Sequence, residues 1–426
     1  MKRAVLLLVC SAALLLIVSC SGSGNSVTGP NGNVTVNAPS QLKNRAFITN
    51  QFSGNIQIVD SQNDTTAYYN VTNNNTGNST NATPTSGGTP STAVNIVVGG
   101  SLSWELLSPD DLETLVYNPQ SNTLTFITNS SEVTNGTVSL GGRAPMGVYS
   151  ADSKNIYVPE PAALLTTGSR PGVVQFISSA TGTVSNSIPV PSAQSLAISP
   201  DGNTLLVFAA NSDTMYFVNP TATSPTAIAI PGFARPVSAF FSSDSTTAYI
   251  LNCGPECGST AGPPSVMKFD VASKTITATV PVGGATVGLL KNTTLYVAGY
   301  PGGATGTFDV VDVGSMTRST SNPIVIGDGT HTTMAISNNN KLYIGAVTCA
   351  NVTAGCLSIM DLGKVAADPQ PTPLGAVTAM QSIPNRDVMY VIQGGVLNIY
   401  DTSTGQLQST QIAFRGALYS VVQVDQ

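Results

Sequence analysis

The sequence predicts an all-β fold: a closed ring of four-stranded antiparallel blades, of the β-propeller type. A short β-rich run recurs along the chain, at a spacing of about 41 to 49 residues after a longer first unit, and one blade has this size. No segment with the hydrophobic period of a helix interrupts the series. The last strand of the chain matches one strand type of the repeat, so it can complete the first unit.

Each unit opens with a run rich in β-branched and aromatic residues, followed by a second strand that a polar residue closes, as in Leu397–Asp401. A third strand follows, as in Thr275–Gly284, and the last strand leads into a turn, as in Leu196–Gly202. The opening runs are Ala46–Asn50, Thr114–Tyr117, Ile156–Val158, Leu205–Phe208, Ala248–Leu251, Leu295–Val297, Leu342–Ile344 and Met389–Val391.

The openings predict eight blades over residues 45–426, with seven as the alternative. They lie near residues 45, 113, 154, 203, 246, 293, 341 and 388. Eight blades need about 48 residues each and seven about 55. The first unit is longer because it contains a tract of Asn, Thr, Ser, Gly and Pro at about 70–91, which we expect to be a mobile surface insertion.

Ring closure follows from the order of the strands. The chain enters the ring at an opening strand and finishes with Ala417–Val424, which matches the turn-leading strand of the other units. We therefore expect this C-terminal strand to complete the first blade, because an open ring would leave strand edges unpaired.

Several of these segments resemble the YVTN family of β-propeller repeats. The resemblance lies in Arg45–Asn50 with Ile56–Asp60, in Val280–Gly284 and in Ser199–Gly202, and it extends over residues 45–426. The family's Tyr-Val-Thr-Asn occurs as Phe47-Ile48-Thr49-Asn50. The resemblance implies a propeller, for which seven blades are common in the family, and it says little about function.

The N-terminus has the organisation of a secretion signal. Lys2 and Arg3 precede the apolar run Ala4–Val18, which is too short for a comfortable membrane span. The boundary Ile17-Val18-Ser19-Cys20 resembles the lipobox of bacterial lipoproteins, which implies a signal peptide over 1–19 and a diacylated Cys20 as the mature N-terminus. An ordinary secretory signal with an incidental Cys20 is the alternative.

Residues 20–44 are rich in Gly, Ser, Asn and Thr, and we expect a flexible tether there. Two or more acyl chains would anchor the protein stably at the cell envelope. Since Ser21 is not aspartate, the sorting rule for lipoproteins of diderm bacteria implies the outer membrane.

Composition narrows the function classes. Charged residues make up 9% of the chain and the formal net charge is −6, so there is no basic surface for nucleic acid. The hydrophobic content of 41% is ample for a core. Most of the polar side chains carry hydroxyl or amide groups.

Four cysteines remain after Cys10 leaves with the signal and Cys20 is lipidated: Cys253, Cys257, Cys349 and Cys356. An even number in an exported protein indicates disulfides. Both pairs follow an opening strand, so we expect them on one face of the ring. One blade separates the pairs, which favours the local links Cys253–Cys257 and Cys349–Cys356.

The ionisable and aromatic side chains that could form a catalytic or binding site also have structural explanations. A carboxylate closes the second strand of five units, where it could bind cations but fits a turn-making role better; these residues are Asp60, Asp270, Asp312, Asp361 and Asp401. His331 is the only histidine, and we expect a loop residue near the channel rim. Trp104 is expected to pack between blades. The glutamates show no repeated spacing: Glu105, Glu113, Glu132, Glu160 and Glu256.

Two functions stay open. The first is a monomeric, non-enzymatic propeller that binds a protein, peptide or glycan through one face or its channel, without a metal or cofactor. The second is a lactonase- or lyase-like enzyme, a chemistry known on related propellers. The enzyme would need His, Arg and carboxylate side chains to converge at one channel mouth.

Overall fold

The eight-bladed prediction is confirmed. The computed structural model describes residues 25–29, 32–36, 39–40, 42–72, 81–86, 95–163, 171–301, 305–319, 323–327, 329–349, 354–362, 368–369, 374–408, 412, 414 and 416–425. Within these ranges the strands form eight antiparallel sheets, one for each blade. The predicted signal peptide 1–19 and Cys20 lie outside the described residues.

The strands are numbered in chain order. Blade 1 contains β1 (Asn25–Gly29), β2 (Gly32–Val36), β3 (Arg45–Asn50), β4 (Asn55–Asp60), β5 (Thr65–Thr72), β6 (Asn81–Ser86) and β7 (Asn95–Val97). Blades 2 and 3 contain β8 (Glu105–Leu107), β9 (Glu113–Asn118), β10 (Thr123–Thr128), β11 (Val133–Ser139), β12 (Val148–Tyr149), β13 (Asn155–Glu160), β14 (Val173–Ser178) and β15 (Thr183–Pro189). Blades 4 and 5 contain β16 (Ala193–Ile198), β17 (Leu205–Ala209), β18 (Met215–Val218), β19 (Ala227–Ile230), β20 (Pro236–Phe241), β21 (Thr247–Asn252), β22 (Ser265–Asp270) and β23 (Thr275–Pro281).

Blades 6 to 8 and the closing strand complete the ring. They contain β24 (Val287–Lys291), β25 (Thr294–Gly299), β26 (Gly306–Asp312), β27 (Thr317–Arg318), β28 (Ile324–Ile326), β29 (His331–Ile336), β30 (Lys341–Ala346), β31 (Cys356–Asp361), β32 (Asp368–Pro369), β33 (Val377–Ser382), β34 (Val388–Gln393), β35 (Val396–Asp401), β36 (Gln406–Leu407) and β37 (Leu418–Gln423). A single turn of 3-10 helix, Gly254–Cys257, lies among the described strands. No helix in the described ranges is long and apolar enough to cross a membrane.

Each blade has the same internal order. In blade 4 the strands pair in the order β16-β17-β18-β19, so the turn-leading strand β16 comes before the opening strand β17. The strands equivalent to β16 contact one another in succession around the ring, in the order β12, β16, β20, β24, β29, β33, β37 and β8. They are therefore the inner strands, which surround the central axis.

The C-terminal strand closes the ring as predicted. β37 pairs antiparallel with β3, with Phe47 opposite Val422 and Ile48 opposite Val421. Blade 1 thus takes its inner strand from the end of the chain and its other strands from the beginning. Both chain ends are fixed in one sheet, so no strand edge is left open at the junction.

Blade 1 departs from the simple repeat at its outer edge. β4 pairs with β5 at one end and with β7 at the other, so the chain between them leaves the blade there. The predicted insertion at 70–91 falls in this interval, and residues 73–80 and 87–94 lie outside the described ranges. Within the span 20–44 assigned to a tether, β1 and β2 form a hairpin, and β1 pairs with β7 at Ser26 and Asn95. The β-branched residues Val34, Thr35 and Val36 favour a strand there.

The core lies between the blades. Eight hydrophobic clusters of described residues each join two neighbouring blades, including the pair formed by blades 8 and 1. The middle strands are covered on both faces, which explains why β17, Leu205–Ala209, is a continuous apolar run. Outer strands such as β23 alternate instead, because one face meets solvent.

Candidate functional site

The two faces of the ring carry different loops. The loops from opening to second strands, and those from each outer strand to the next inner strand, share one face. Both cysteine pairs lie on it, so we call it the disulfide face. The opposite face, which we call the turn face, carries tight turns such as Ser199–Gly202 between inner and opening strands.

The disulfides are local, as the positions of the cysteines predict. Cys253 bonds Cys257 across a Cα–Cα distance of 5.6 Å, and Cys349 bonds Cys356 across 6.0 Å. In the loop closed by the Cys253–Cys257 disulfide, which we call the first disulfide loop, the Glu256 carboxylate accepts a hydrogen bond of 2.8 Å from the backbone N–H of Tyr300 in blade 6. Burial raises the pKa of Glu256 to about 7, although this N–H opposes the shift. The loop is thereby attached to the neighbouring blade.

A repeated β-bulge shapes the channel mouth on the disulfide face. In several blades the second residue of the inner strand has no partner in the opening strand, so the pairing register shifts there. The residues at this position are Gln194, Val237, Thr332, Thr378 and, in β37, Tyr419. Bulges change the direction of a side chain and are common beside binding sites. Neighbouring inner strands are linked at this level, since the Thr378 hydroxyl donates to the Tyr419 carbonyl at 2.6 Å.

Two adjacent cavities open at this mouth. Cavity 1, of about 510 Å³, lies among blades 1 to 4 and includes Trp104, Tyr117, Arg143 and Tyr419. Cavity 2, of about 480 Å³, lies among blades 3 to 5 and includes Phe208, Asn211, Arg235 and Cys257. Pro145 and Gln194 line both cavities. Together the cavities form a site with two compartments on one side of the mouth.

Cavity 1 has a rigid aromatic wall. The Trp104 and Tyr117 rings stack with centroids 5.2 Å apart and planes 18° from parallel. The Trp104 indole N–H donates to the Ala144 carbonyl at 3.0 Å, and the Tyr117 hydroxyl accepts from the Ala144 N–H at 3.0 Å. The same hydroxyl donates to Asn122 at 2.9 Å. With these polar atoms already paired, the buried Tyr117 ring holds the partly exposed Trp104 ring in place for contact with a ligand.

The prediction that Trp104 packs between blades agrees with these contacts, since Tyr117 belongs to blade 2 and Ala144 leads into blade 3. Trp104 lies just before strand β8 and is only partly buried. Trp104 also lines cavity 1, which its sequence context does not indicate.

Among the described residues, each cavity is lined by one cationic side chain and by no carboxylate. Arg143 is exposed at cavity 1, and within the described part of the chain its guanidinium makes no hydrogen bond or ion pair. Arg235 at cavity 2 is held, since its Nε donates to the Cys257 carbonyl at 3.2 Å. Its guanidinium also lies 3.9 Å from the Asp213 carboxylate. The Asp213 carboxylate partly balances the charge of Arg235, so Arg143 is the uncompensated positive charge of the site among the described residues, in a chain of net charge −6.

A buried carboxyl lies close to the loop that carries Arg143. Glu160, the last residue of β13, is fully buried, and its pKa is raised to about 7 by burial. The N–H groups of Gly141 and Gly142 face it and partly oppose this shift. Within the described residues, neither carboxylate oxygen completes a hydrogen bond of ordinary geometry. Glu160 therefore takes up a proton near neutral pH.

The remaining sequence-predicted glutamates do not join this site. Glu105 lies in inner strand β8 against blade 1, and burial raises its pKa well above the usual range. Glu113 accepts from the Tyr149 hydroxyl at 2.7 Å on the turn face. Glu132, also on the turn face, pairs with Arg45 at 2.9 Å. Five glutamates thus occupy separate environments, and none lines either cavity.

His331 differs from its predicted position. It is the first residue of inner strand β29, next to the Thr332 bulge at the mouth, and is 3% exposed, so it is a buried strand residue and not a loop residue. It lines neither cavity. The preceding Gly-Thr suggested a loop, but the strand begins immediately after it.

The recurring aspartates make turns. Their carboxylates accept hydrogen bonds from backbone N–H groups two or three residues ahead, as Asp401 does from Ser403 at 2.8 Å and Thr404 at 3.0 Å. Asp60, Asp270 and Asp312 do the same, and Asp361 ends β31 at the equivalent position. These residues cap the turn face rather than assemble a site.

Comparison with known proteins supports the fold alone. No family model matches the chain, and no curated protein matches it by sequence. A solved structure of the dihydro-heme d1 dehydrogenase NirN, in complex with DHE, superposes with a TM-score of 0.64 at 12% identity, covering 92% of this chain and 76% of that one. A functionally unknown protein from Desulfotomaculum acetoxidans superposes with a TM-score of 0.53 at 15% identity, covering 89% and 98%. The class is thus an eight-bladed β-propeller.

Proposed function

We propose that this chain is a lipid-anchored protein of the cell envelope that binds a ligand at the mouth of its propeller on the disulfide face. The observation that carries the proposal is the pair of cavities of about 510 and 480 Å³, which share Pro145 and Gln194. Their size suits a ligand of a few rings or residues, and adjoining apolar walls with a few polar groups are typical of binding sites. The ligand is a protein, peptide or glycan.

The arrangement of ionisable groups supports binding over catalysis. A lactonase or lyase would require histidine, arginine and carboxylate side chains together at the mouth. Arginines occur in the two cavities, whereas His331 and the glutamates lie elsewhere among the described residues.

The anchor is supported by the N-terminal sequence. The lipobox resemblance at Ile17–Cys20 implies acylation of Cys20, and Ser21 favours the outer membrane in a diderm organism. The repeats resemble the YVTN type, which is consistent with an exported propeller. A monomer that carries its binding face on a lipid tether can meet envelope ligands without a membrane span of its own.

Blocking the mouth tests the proposal. Full-length protein is immobilised and exposed to envelope extract, and retained proteins, peptides and glycans are identified by mass spectrometry. Gln194→Trp places a large side chain in the wall that both cavities share. Leu112→Trp is the matched control, since Leu112 is 66% exposed on the turn face.

We expect the wild type and the Leu112→Trp protein to retain the same ligand and the Gln194→Trp protein to lose it. Retention of the full set of ligands by Gln194→Trp would contradict the proposal. Retention of nothing by the wild type would contradict it as well.

A further inference from the structure

We propose that the ligand is an acidic glycan, with a carboxylate-bearing sugar ring seated against Trp104 in cavity 1 and its carboxylate paired with Arg143. The inference rests on the proposed function and specifies the class of ligand. It depends on the charge of the site, the aromatic wall and the kind of polar groups that the cavities offer.

Charge complementarity points to an anion. The chain contains 22 Asp and Glu residues against 16 Lys and Arg, yet the described residues that line the two cavities include two arginines and no carboxylate. Arg143 is exposed at cavity 1 without a partner in the described residues. A planar guanidinium binds a carboxylate through two parallel hydrogen bonds, which gives both affinity and orientation.

The aromatic wall points to a ring-shaped partner. The Trp104 N–H is used internally, so the indole offers the ligand its π-surface rather than a donor. The negative face of an aromatic ring attracts the weakly positive C–H groups on the flat side of a sugar ring. Stacking on Tyr117 fixes the Trp104 plane before a ligand arrives, so little side-chain entropy is lost on binding.

The remaining polar groups suit hydroxyls. Ser103 and Gln194 in cavity 1, and Asn211 in cavity 2, are neutral groups that both donate and accept. The Ser195 hydroxyl in cavity 2 donates to the Val237 carbonyl at 2.6 Å and can accept from a ligand. A peptide that binds by strand addition would instead need a regular strand edge for main-chain pairing. The bulge at Gln194 interrupts that regularity at the mouth. The cavities therefore favour a glycan over an acidic peptide.

Cavity 2 forms a second subsite for the same chain. Arg235 is oriented by the Cys257 carbonyl at 3.2 Å and the Gly258 carbonyl at 3.5 Å, both in or beside the first disulfide loop. The shared wall of Pro145 and Gln194 lets one oligosaccharide pass from cavity 1 into cavity 2. A longer acidic oligosaccharide should therefore bind more tightly than a single sugar acid.

Calorimetric titration of the full-length protein in detergent tests the inference. The probes are a linear trisaccharide of galacturonic acid, the corresponding neutral galactose trisaccharide, galacturonic acid alone and a triglutamate peptide. Arg143→Gln removes the proposed carboxylate partner. Lys154→Gln is the matched control, because Lys154 is an exposed cation on the turn face with a side chain 77% exposed.

We expect the acidic trisaccharide to bind most tightly of the four probes. Arg143→Gln should weaken it about ten- to hundredfold, the usual effect of losing one charge-assisted pair, and should leave the affinity for the neutral trisaccharide unchanged. Lys154→Gln should change neither.

Equal binding of the acidic and neutral trisaccharides, tighter binding of the peptide, or an undiminished affinity in Arg143→Gln would overturn the inference. None of these results alters the capture of envelope ligands that Gln194→Trp abolishes, so the proposed function would survive them. Failure of the proposed function is recognised separately, by unchanged capture in Gln194→Trp.

Discussion

Arg386 of blade 8 donates two hydrogen bonds, of 2.6 and 2.7 Å, to the two carboxylate oxygens of Asp64 in blade 1. The Tyr390 hydroxyl donates to the same carboxylate at 2.6 Å, and the pKa of Tyr390 is raised by burial and by this negative charge. The contact joins the first and last blades of the ring and lies beside the hydrophobic cluster that includes Tyr390. The two ends of the fold are thus held by charge as well as by strand pairing.

Loss of this pair should weaken ring closure. Arg386→Ala leaves the buried Asp64 carboxylate without its cation, and the free energy of unfolding should fall by about 2–4 kcal/mol. Chemical denaturation of the wild type and the variant measures the change. Lys154→Ala, which removes an exposed cation, is the control. A loss no greater than that of the control would contradict a closing role for Arg386.

Glu160 should make stability depend on pH. A glutamate in the unfolded chain ionises near pH 4.3, whereas the folded pKa of Glu160 is about 7. Because the pKa of Glu160 is raised in the folded protein, the contribution of Glu160 to the free energy of unfolding is complete below about pH 4. This contribution is lost as the pH rises to 7 and above. Glu160→Gln should match the wild type at pH 4.5 and be more stable at pH 8 by roughly 3 kcal/mol.

Denaturation at the two pH values tests this prediction. The pKa of Glu256 is also raised to about 7, so Glu256 too makes the free energy of unfolding fall as the pH rises. Some pH dependence of stability should therefore remain in Glu160→Gln. Parallel stability curves for the wild type and Glu160→Gln would mean that Glu160 does not titrate as described.

The first disulfide should stiffen a loop rather than hold the ring. Replacing Cys253 and Cys257 by serine opens a short loop, for which chain entropy gives about 2 kcal/mol. The far-ultraviolet circular dichroism should not change, while the Tyr300 amide should exchange faster because Glu256 is no longer held against it. Serine at Cys349 and Cys356 is the control and should leave the Tyr300 amide unaffected. Global unfolding of the first variant would refute this role.

Cys20 should decide where the protein is found. Cys20→Ala removes the sulfur that the lipobox resemblance assigns to acylation. The variant should keep its signal peptide or leave the membrane fraction, while the wild type partitions into detergent. Mass spectrometry of both fractions measures this. A processed variant that still enters the detergent phase would show that the anchor lies elsewhere.

The repeat was readable from the sequence because the middle strands are buried on both faces. Such strands give apolar runs at a regular spacing, and the observed opening strands begin within about two residues of the predicted positions. Ring closure was readable too, because Ala417–Val424 matches the pattern of an inner strand. The cysteine pairs followed from their position after two opening strands.

The sequence predicts less of the binding site than of the fold. The Gln194 bulge depends on the pairing register between β16 and β17, which a single strand does not reveal. The sequence pattern does not distinguish Arg143, because only the folded ring places it in the same cavity as Trp104 with no carboxylate among the described lining residues. The loop position expected for His331 is wrong because Gly329-Thr330 leads directly into inner strand β29, and the burial of its side chain depends on the neighbouring blade.

Hydrogen exchange of the full-length protein, with and without its captured envelope ligand, tests the central claim most directly. Binding at the mouth should protect amides in 101–104, 141–146 and 192–196, which surround the shared wall of the two cavities. Amides of the turn face, such as those of 108–112, should exchange at the same rate in both states. Protection confined to the turn face or to the outer strands would contradict a ligand site at the disulfide-face mouth.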